Sequence, residues 1–323
     1  MSRHQKTSRA LFLLILPLLL LSSCRSSKEP IEPQISYSVR DTYLQQLPSP
    51  FESLTASERA SDWGIEYTIG VRMARKLDLY PAIKCAFERA AILVPPEKIE
   101  REREIAYYIL LCYYLGKKYP EVTEQFEKSS LGITPQEFPA YRELLIMVYE
   151  SYLAQNEPEK AEQILAHIAD YDAHAAKILH LSSALKEANF DEIKTYAKDS
   201  PYEESSEALI QSYKLDAKSP GKAQLLNAVL PGAGFFYLGQ TRSGITSFLI
   251  NGLFIAATYE FFHRGYVAAG IVTASLETGW YFGGIYGAGQ DAKLYNERLW
   301  EQKGAPYMGE NKLFPILQLR YCF

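Results

Sequence analysis

Three histidines with two aspartates among them are the first residues in this sequence that could do chemistry: His167, Asp170, Asp172, His174 and His180. Imidazoles and carboxylates at close spacing are the donor set of a zinc site. The spacing argues against one, because positions 167, 174 and 180 share no helix face and a turn is expected at Tyr171-Asp172. Cys24, Cys85, Cys112 and Cys322 show no metal-ligand spacing, and a Cys85–Cys112 pairing stays open. No Gly-x-Ser-x-Gly elbow, no His-Glu-x-x-His and no cysteine–histidine constellation occurs. The reading is a non-enzymatic chain with no catalytic residue, no cofactor and no metal. A net charge of −4 without any basic block also excludes nucleic acid as the expected partner. Two positions with chemistry remain, Cys24 and Glu277.

Cys24 closes an N-terminal segment built like an export signal. Arg3, Lys6 and Arg9 precede an apolar core over Ala10–Leu21, too short to span a bilayer comfortably. The core ends in Leu21-Ser22-Ser23-Cys24, which resembles the lipobox of bacterial lipoproteins. That resemblance implies a signal peptide over 1–23, removed so that Cys24 becomes a lipid-carrying N-terminus. A signal anchor with an incidental cysteine is the other reading. Residues 24–54 mix Pro, Ser and charge without a period and are expected to form an extended tether.

From 55 to 200 the pattern is helical and repeats. Tyr80-x-x-Ile83-x-x-x-Phe87-x-x-Ala90, Tyr119-x-x-Val122-x-x-x-Phe126 and Pro158-x-x-Ala161-x-x-x-Leu165 start 39 residues apart. Steps of three and four place the apolar residues of each unit on one helix face. Tyr113 and Tyr152 share a phase in the helices upstream, also 39 residues apart. The pattern resembles the tetratricopeptide (TPR) repeat family of α-solenoids, although Val71, Leu110 and Tyr149 stand where that family has a small residue. The resemblance implies a curved surface for a peptide or protein partner, with Tyr113 and Tyr152 as candidate contacts. An ordinary helical bundle is the alternative, and the constant period favours the solenoid. Residues 201–222 read as a linker.

Past Pro220 charge nearly vanishes. Ala223–Leu238, Gly244–Phe262 and Gly265–Gly289 are apolar, the last carrying Glu277. Lengths of 19 and 25 residues meet the requirement for transmembrane helices, and Tyr259, Phe261, Phe262 and Tyr266 flank the turn at His263-Arg264. Residues 223–290 thus read as a re-entrant or interfacial helix followed by a transmembrane hairpin. Gly279 and Gly283 recur at the four-residue spacing that lets helix backbones approach. Pro231, Gly232, Gly234, Tyr237 and Gly239 form Pro-Gly-x-Gly-x-x-Tyr-x-Gly, a pattern that resembles a family of bacterial membrane domains and implies a membrane location. An acid inside a bilayer is a functional candidate. Glu277 is expected either to act with a partner or to rest, neutral or hydrogen-bonded to Asn251, Thr246 or Ser247. The tail, 291–323, ends in the alternation Leu317-x-Leu319-x-Tyr321-x-Phe323 and reads as a short strand or a surface-lying segment.

The expected fold is all-α: a TPR-like solenoid followed by a C-terminal transmembrane hairpin. The expected protein is an inner-membrane lipoprotein of the bacterial envelope, with outer-membrane location as the alternative. Its partners would be membrane lipid, through the acyl anchor and the hairpin, and a protein or peptide of the envelope.

Overall fold

A computed structural model describes residues 31–37 and 41–323 of the chain. The signal peptide, Cys24 and the first part of the expected tether lie outside the described residues. Within them the chain is all-helical, and no strand occurs among the described residues. It divides into two compact units, one formed by Ser36–Leu185, Asp191–Ser200 and Pro306–Phe323, the other by Lys186–Phe190, Pro201–Ala305 and residues up to Ile35.

The first unit opens with two short helices, α1 (Asp41–Gln46) and α2 (Ala56–Ala60). Thr55 and Glu58 cap α2 reciprocally, satisfying two backbone amides that the helix itself leaves free. Three helical pairs follow. The first pairs α3 (Asp62–Arg75) with α4 (Leu79–Ala82), which passes through a π-helical turn (Ile83–Phe87) into α5 (Glu88–Leu93). The second pairs α6 (Ile99–Leu115) with α7 (Tyr119–Lys128), and the third α8 (Tyr141–Ala154) with α9 (Pro158–Tyr171). Next come α10 (Ala173–Lys186) and α11 (Phe190–Ala197).

The first helix of each pair closes in the same way. Leu77, Lys117 and Asn156 take left-handed φ of 62°, 55° and 60°. The amides of the following residues, Asp78, Lys118 and Glu157, donate back to the carbonyls of Met73, Tyr113 and Tyr152 at 3.1, 2.9 and 3.0 Å. This double-bonded stop satisfies carbonyls at the helix end. Met73, Tyr113 and Tyr152 therefore stand at equivalent helix ends. The pairs enclose a core with Ile83, Phe87, Tyr107, Tyr108, Leu110, Leu111, Leu144 and Ile146 fully buried. Glu104, buried with them, accepts from the Tyr67 hydroxyl and from Arg101 Nη1 at 2.7 Å. Burial still holds its carboxyl above the usual range.

The second unit contains α12 (Glu203–Asp216), α13 (Pro220–Val229), α14 (Ala233–Tyr237), α15 (Thr241–His263) and the 44-residue α16 (Val267–Glu310). One of its aromatic contacts is a triangle of Phe190, Tyr213 and Trp300, with ring centroids 5.2–5.4 Å apart.

Three expectations need correction. Residues 201–222 are no linker: Ser206, Leu209, Ile210 and Tyr213 are buried at helical spacing, which makes α12 an amphipathic helix. The described part of 24–54 is no free tether either. Ile35, Leu44 and Leu54 are buried, and the amide of Gln34 donates to Glu301 at 2.6 Å. Scattered apolar residues without a period can still dock singly, and here they do. The tail is neither a strand nor a surface segment. Helix α16 runs to Glu310, a 3₁₀ turn covers Pro315–Gln318, and Leu313, Phe314, Leu319, Cys322 and Phe323 are buried.

Candidate functional site

The tail docks across the first helix of every pair, where its backbone is held by side chains. Tyr43, on α1, donates to the carbonyl of Leu317 at 3.3 Å. Arg142 Nη1, at the start of α8, donates to the carbonyl of Gln318 at 2.8 Å. Its neighbour Glu143 accepts from the amide of Arg320 at 3.4 Å. The amide of Cys322 donates to the carbonyl of Pro48 at 2.9 Å, and Arg75 Nε, at the end of α3, to the oxygen of Phe323 at 3.2 Å. The Phe323 ring lies 5.5 Å from that of Tyr108 on α6. Leu319, Cys322 and Phe323 thereby join the apolar cluster that holds Cys112, Leu144 and Leu145. Burial pushes the Cys322 thiol up to about 12.

The charges beneath the tail are unusually deep. Arg142 and Glu143 are 7% and 2% exposed. Arg142 Nε donates to Asp172 Oδ2 at 3.1 Å and Nη1 to Glu143 at 3.2 Å. Asp172 caps α10 through the amide of Ala175 at 2.9 Å, and its carboxyl lies below the usual range despite burial, held by that amide and by Arg142. Sequence reasoning missed Arg75, Arg142 and Glu143. Two opposite charges opening the otherwise apolar Tyr141–Ala154 stretch were the available signal.

Tyr152 and Tyr113 do not belong to this tail-binding set. Tyr152 is buried, its hydroxyl donates to Glu127 at 2.8 Å, and Lys160 sits over its ring. Tyr113 is half-buried and packs against the core. Among the histidines, His180 stacks on Tyr196 with ring centroids 4.3 Å apart.

In the second unit the Pro-Gly-x-Gly motif is a tight joint. Gly232 has φ of 95°, and a Cβ there would lie 2.3 Å from the carbonyl oxygen of Gly244. Its amide donates to Asn227 Oδ1 at 2.8 Å, directly after Pro231 ends the α13 segment. A Cβ on Gly234 would meet the Ala223 oxygen at 2.3 Å and Ala288 Cβ at 3.0 Å. Tyr237 accepts from the amide of Ser219 at 3.1 Å, with Lys218 and Lys222 over its ring. Gly239 turns the chain with φ of 78°. Gly279 and Gly283 make no close approach: a Cβ on either would meet nothing within 4 Å. The tight approaches to α16 are made from α13 and α14 at Gly284, Ala288 and Gly289 instead, because α13 supplies Gln224 and Asn227 there.

Helix α15 is long and apolar enough to cross a membrane by length and composition. Its burial is inverted: Gly244, Ser247 and Asn251 are inside while Phe248, Leu249, Leu253 and Ile255 are exposed. On α16, Ile271, Val272, Leu276 and Trp280 are exposed likewise. Thr258 Oγ1 donates to Thr273 Oγ1 at 3.0 Å, and Ser247 Oγ lies 3.9 Å from where a Cβ on Gly284 would be. This register places Asn251 level with residue 280, and Glu277 three residues, about 4.5 Å, along the axis. Both Glu277 carboxyl oxygens and Asn251 Oδ1 are buried without a hydrogen bond. The expected bond from Glu277 to Asn251, Thr246 or Ser247 is therefore not made.

No protein-family model matches the chain, and neither a curated protein nor a solved structure matches it.

Proposed function

We propose that this chain is a non-enzymatic, membrane-anchored lipoprotein of the bacterial envelope, in which a TPR-like repeat unit serves as a scaffold for a protein or peptide partner. The observation that carries the reading is the inverted burial of α15. A helix that hides serine and asparagine while exposing leucine and phenylalanine suits a hydrocarbon solvent. With the apolar half of α16 it makes a hairpin turning at Arg264-Gly265-Tyr266, which supports retention in the inner membrane. Arg264 at the turn suits the cytoplasmic side. Cys24 supplies a second, lipid attachment, so the repeat unit faces the periplasm.

The test is fractionation of cells expressing Cys24→Ala. Processing should stop while the protein stays in the membrane pellet after alkaline extraction; release into the soluble fraction would overturn the hairpin. Crosslinking from solubilised envelope, followed by identification of captured proteins, tests the scaffold.

A second reading, an accessory subunit of an envelope assembly or transport complex, is favoured by Glu277. An acid at bilayer depth with both oxygens unpartnered has capacity left for a cation or a proton. On that reading Glu277→Gln impairs assembly; on the scaffold reading it is silent.

A further inference from the structure

We propose that the tail over 313–323 is a displaceable self-ligand, and that the surface beneath it binds a segment of a partner protein with the tail's own course and spacing of apolar residues. The inference rests on the scaffold reading and names the place where the partner binds. The first support is how the tail is held. Tyr43, Pro48, Arg75, Arg142 and Glu143 all bond to its backbone, to the oxygens of Leu317, Gln318 and Phe323 and the amides of Arg320 and Cys322. Backbone atoms carry no side-chain identity, so any segment that follows the same course, a 3₁₀ turn over Pro315–Gln318 and then a non-helical run to Phe323, satisfies these five groups. Selection falls to the apolar sites that Leu313, Phe314, Leu319, Cys322 and Phe323 fill, while the exposed Arg320 reaches Asp172 at 3.9 Å. This division, main-chain bonds for affinity and spaced pockets for choice, is a general mode of peptide recognition.

The second support is the Arg142–Glu143–Asp172 ion cluster beneath the tail. A permanently dry core gains little from such a cluster, since desolvation offsets the attraction. A surface that is alternately covered and open to water keeps its charges solvated when open and uses them to fix a guest's register when closed. The third support is the exit. Lys312, exposed and with φ of 54°, begins the tail at a sharp turn after α16, so the segment can leave without unwinding the helix.

The test uses the full chain in detergent with a protease site placed directly after Lys312. A fluorescent peptide of residues 313–323, Cys322→Ser, is added before and after cleavage. Before cleavage the tethered tail competes at an effective concentration in the millimolar range, so binding should be at least about 100-fold weaker than after it. After cleavage the native fragment should exchange for the labelled one with the repeat unit still folded by circular dichroism. In the uncut chain, excess unlabelled peptide should raise the alkylation rate of Cys322 while leaving that of buried Cys112 unchanged.

A cut fragment that stays bound without exchange, or a repeat unit that unfolds when it leaves, would make the tail a fixed part of the core and overturn the proposal. Equal alkylation of Cys112 and Cys322 would do the same. Tail exchange between copies, seen as a concentration-dependent dimer, would replace the foreign partner by a second copy and so overturn the assignment. Each failure leaves the membrane scaffold standing, because envelope crosslinking to the repeat unit's other faces tests that separately.

Discussion

Helices α8 and α15 obey opposite rules within one chain. In α8 the buried stretch is dominated by Leu144, Leu145, Ile146, Met147, Val148 and Tyr149, as water favours, with Arg142, Glu143 and Ser151 buried beside them through ion pairs and hydrogen bonds. In α15 the buried set is Gly244, Ser247 and Asn251, and Leu253 is 69% exposed. The same side-chain chemistry is sorted in opposite directions in the two helices. Hydrophobicity alone marks both helices as apolar; only the direction of sorting tells them apart.

Five experiments can break or sharpen that contrast. The largest effect is expected in the repeat unit at Arg142→Ala, which leaves Glu143 buried without its cation and should cost about 3–5 kcal/mol. Urea unfolding followed by circular dichroism reads it. In the second unit, where close backbone approach replaces large side chains, Gly234→Val should cost about 2–3 kcal/mol. Thermal melting in detergent reads it, and an unchanged melt would mean that the joint is not packed as described. A smaller change is Thr55→Ala, which removes half of the α2 capping box and should cost about 1 kcal/mol.

The same cap has a pH signature. The Thr55 amide, with Arg101 and Lys98, holds the Glu58 carboxyl down at about 2. A lowered folded value adds stability above the unfolded value of about 4.3. That stability should drain as pH falls from there toward 2, and Glu58→Gln should flatten this part of the stability–pH curve. The smallest effect belongs to Gly279→Leu, within about 0.5 kcal/mol in detergent, since its position is open.

Much of the architecture was legible. Helix starts at Asp62, Tyr119, Pro158 and Ala173 follow from apolar period and from proline, and the breaks expected after the upstream helices coincide with left-handed stops at Leu77, Lys117 and Asn156. What escaped had physical causes. The Gly279–Gly283 spacing is that of a packing stripe, but spacing cannot say which face has a neighbour. Tyr113 and Tyr152 share a phase at equivalent helix ends, where Tyr152 is buried and Tyr113 packs on the core, and local pattern does not distinguish such packing from a binding role. The docking of the tail needs pairings across more than 170 residues, between Arg142 and Gln318 for example, and no local period encodes those.

The repeated stops carry one more consequence. Lys117 and Asn156 are exposed residues with side chains held in a left-handed backbone that glycine adopts without penalty. For lysine that conformation costs about 1 kcal/mol, for asparagine somewhat less. The joints between helices are therefore an untapped reserve of thermostability. Lys117→Gly alone should release part of it without touching the core or the tail, giving engineers a more heat-resistant chain whose packed surfaces are unchanged.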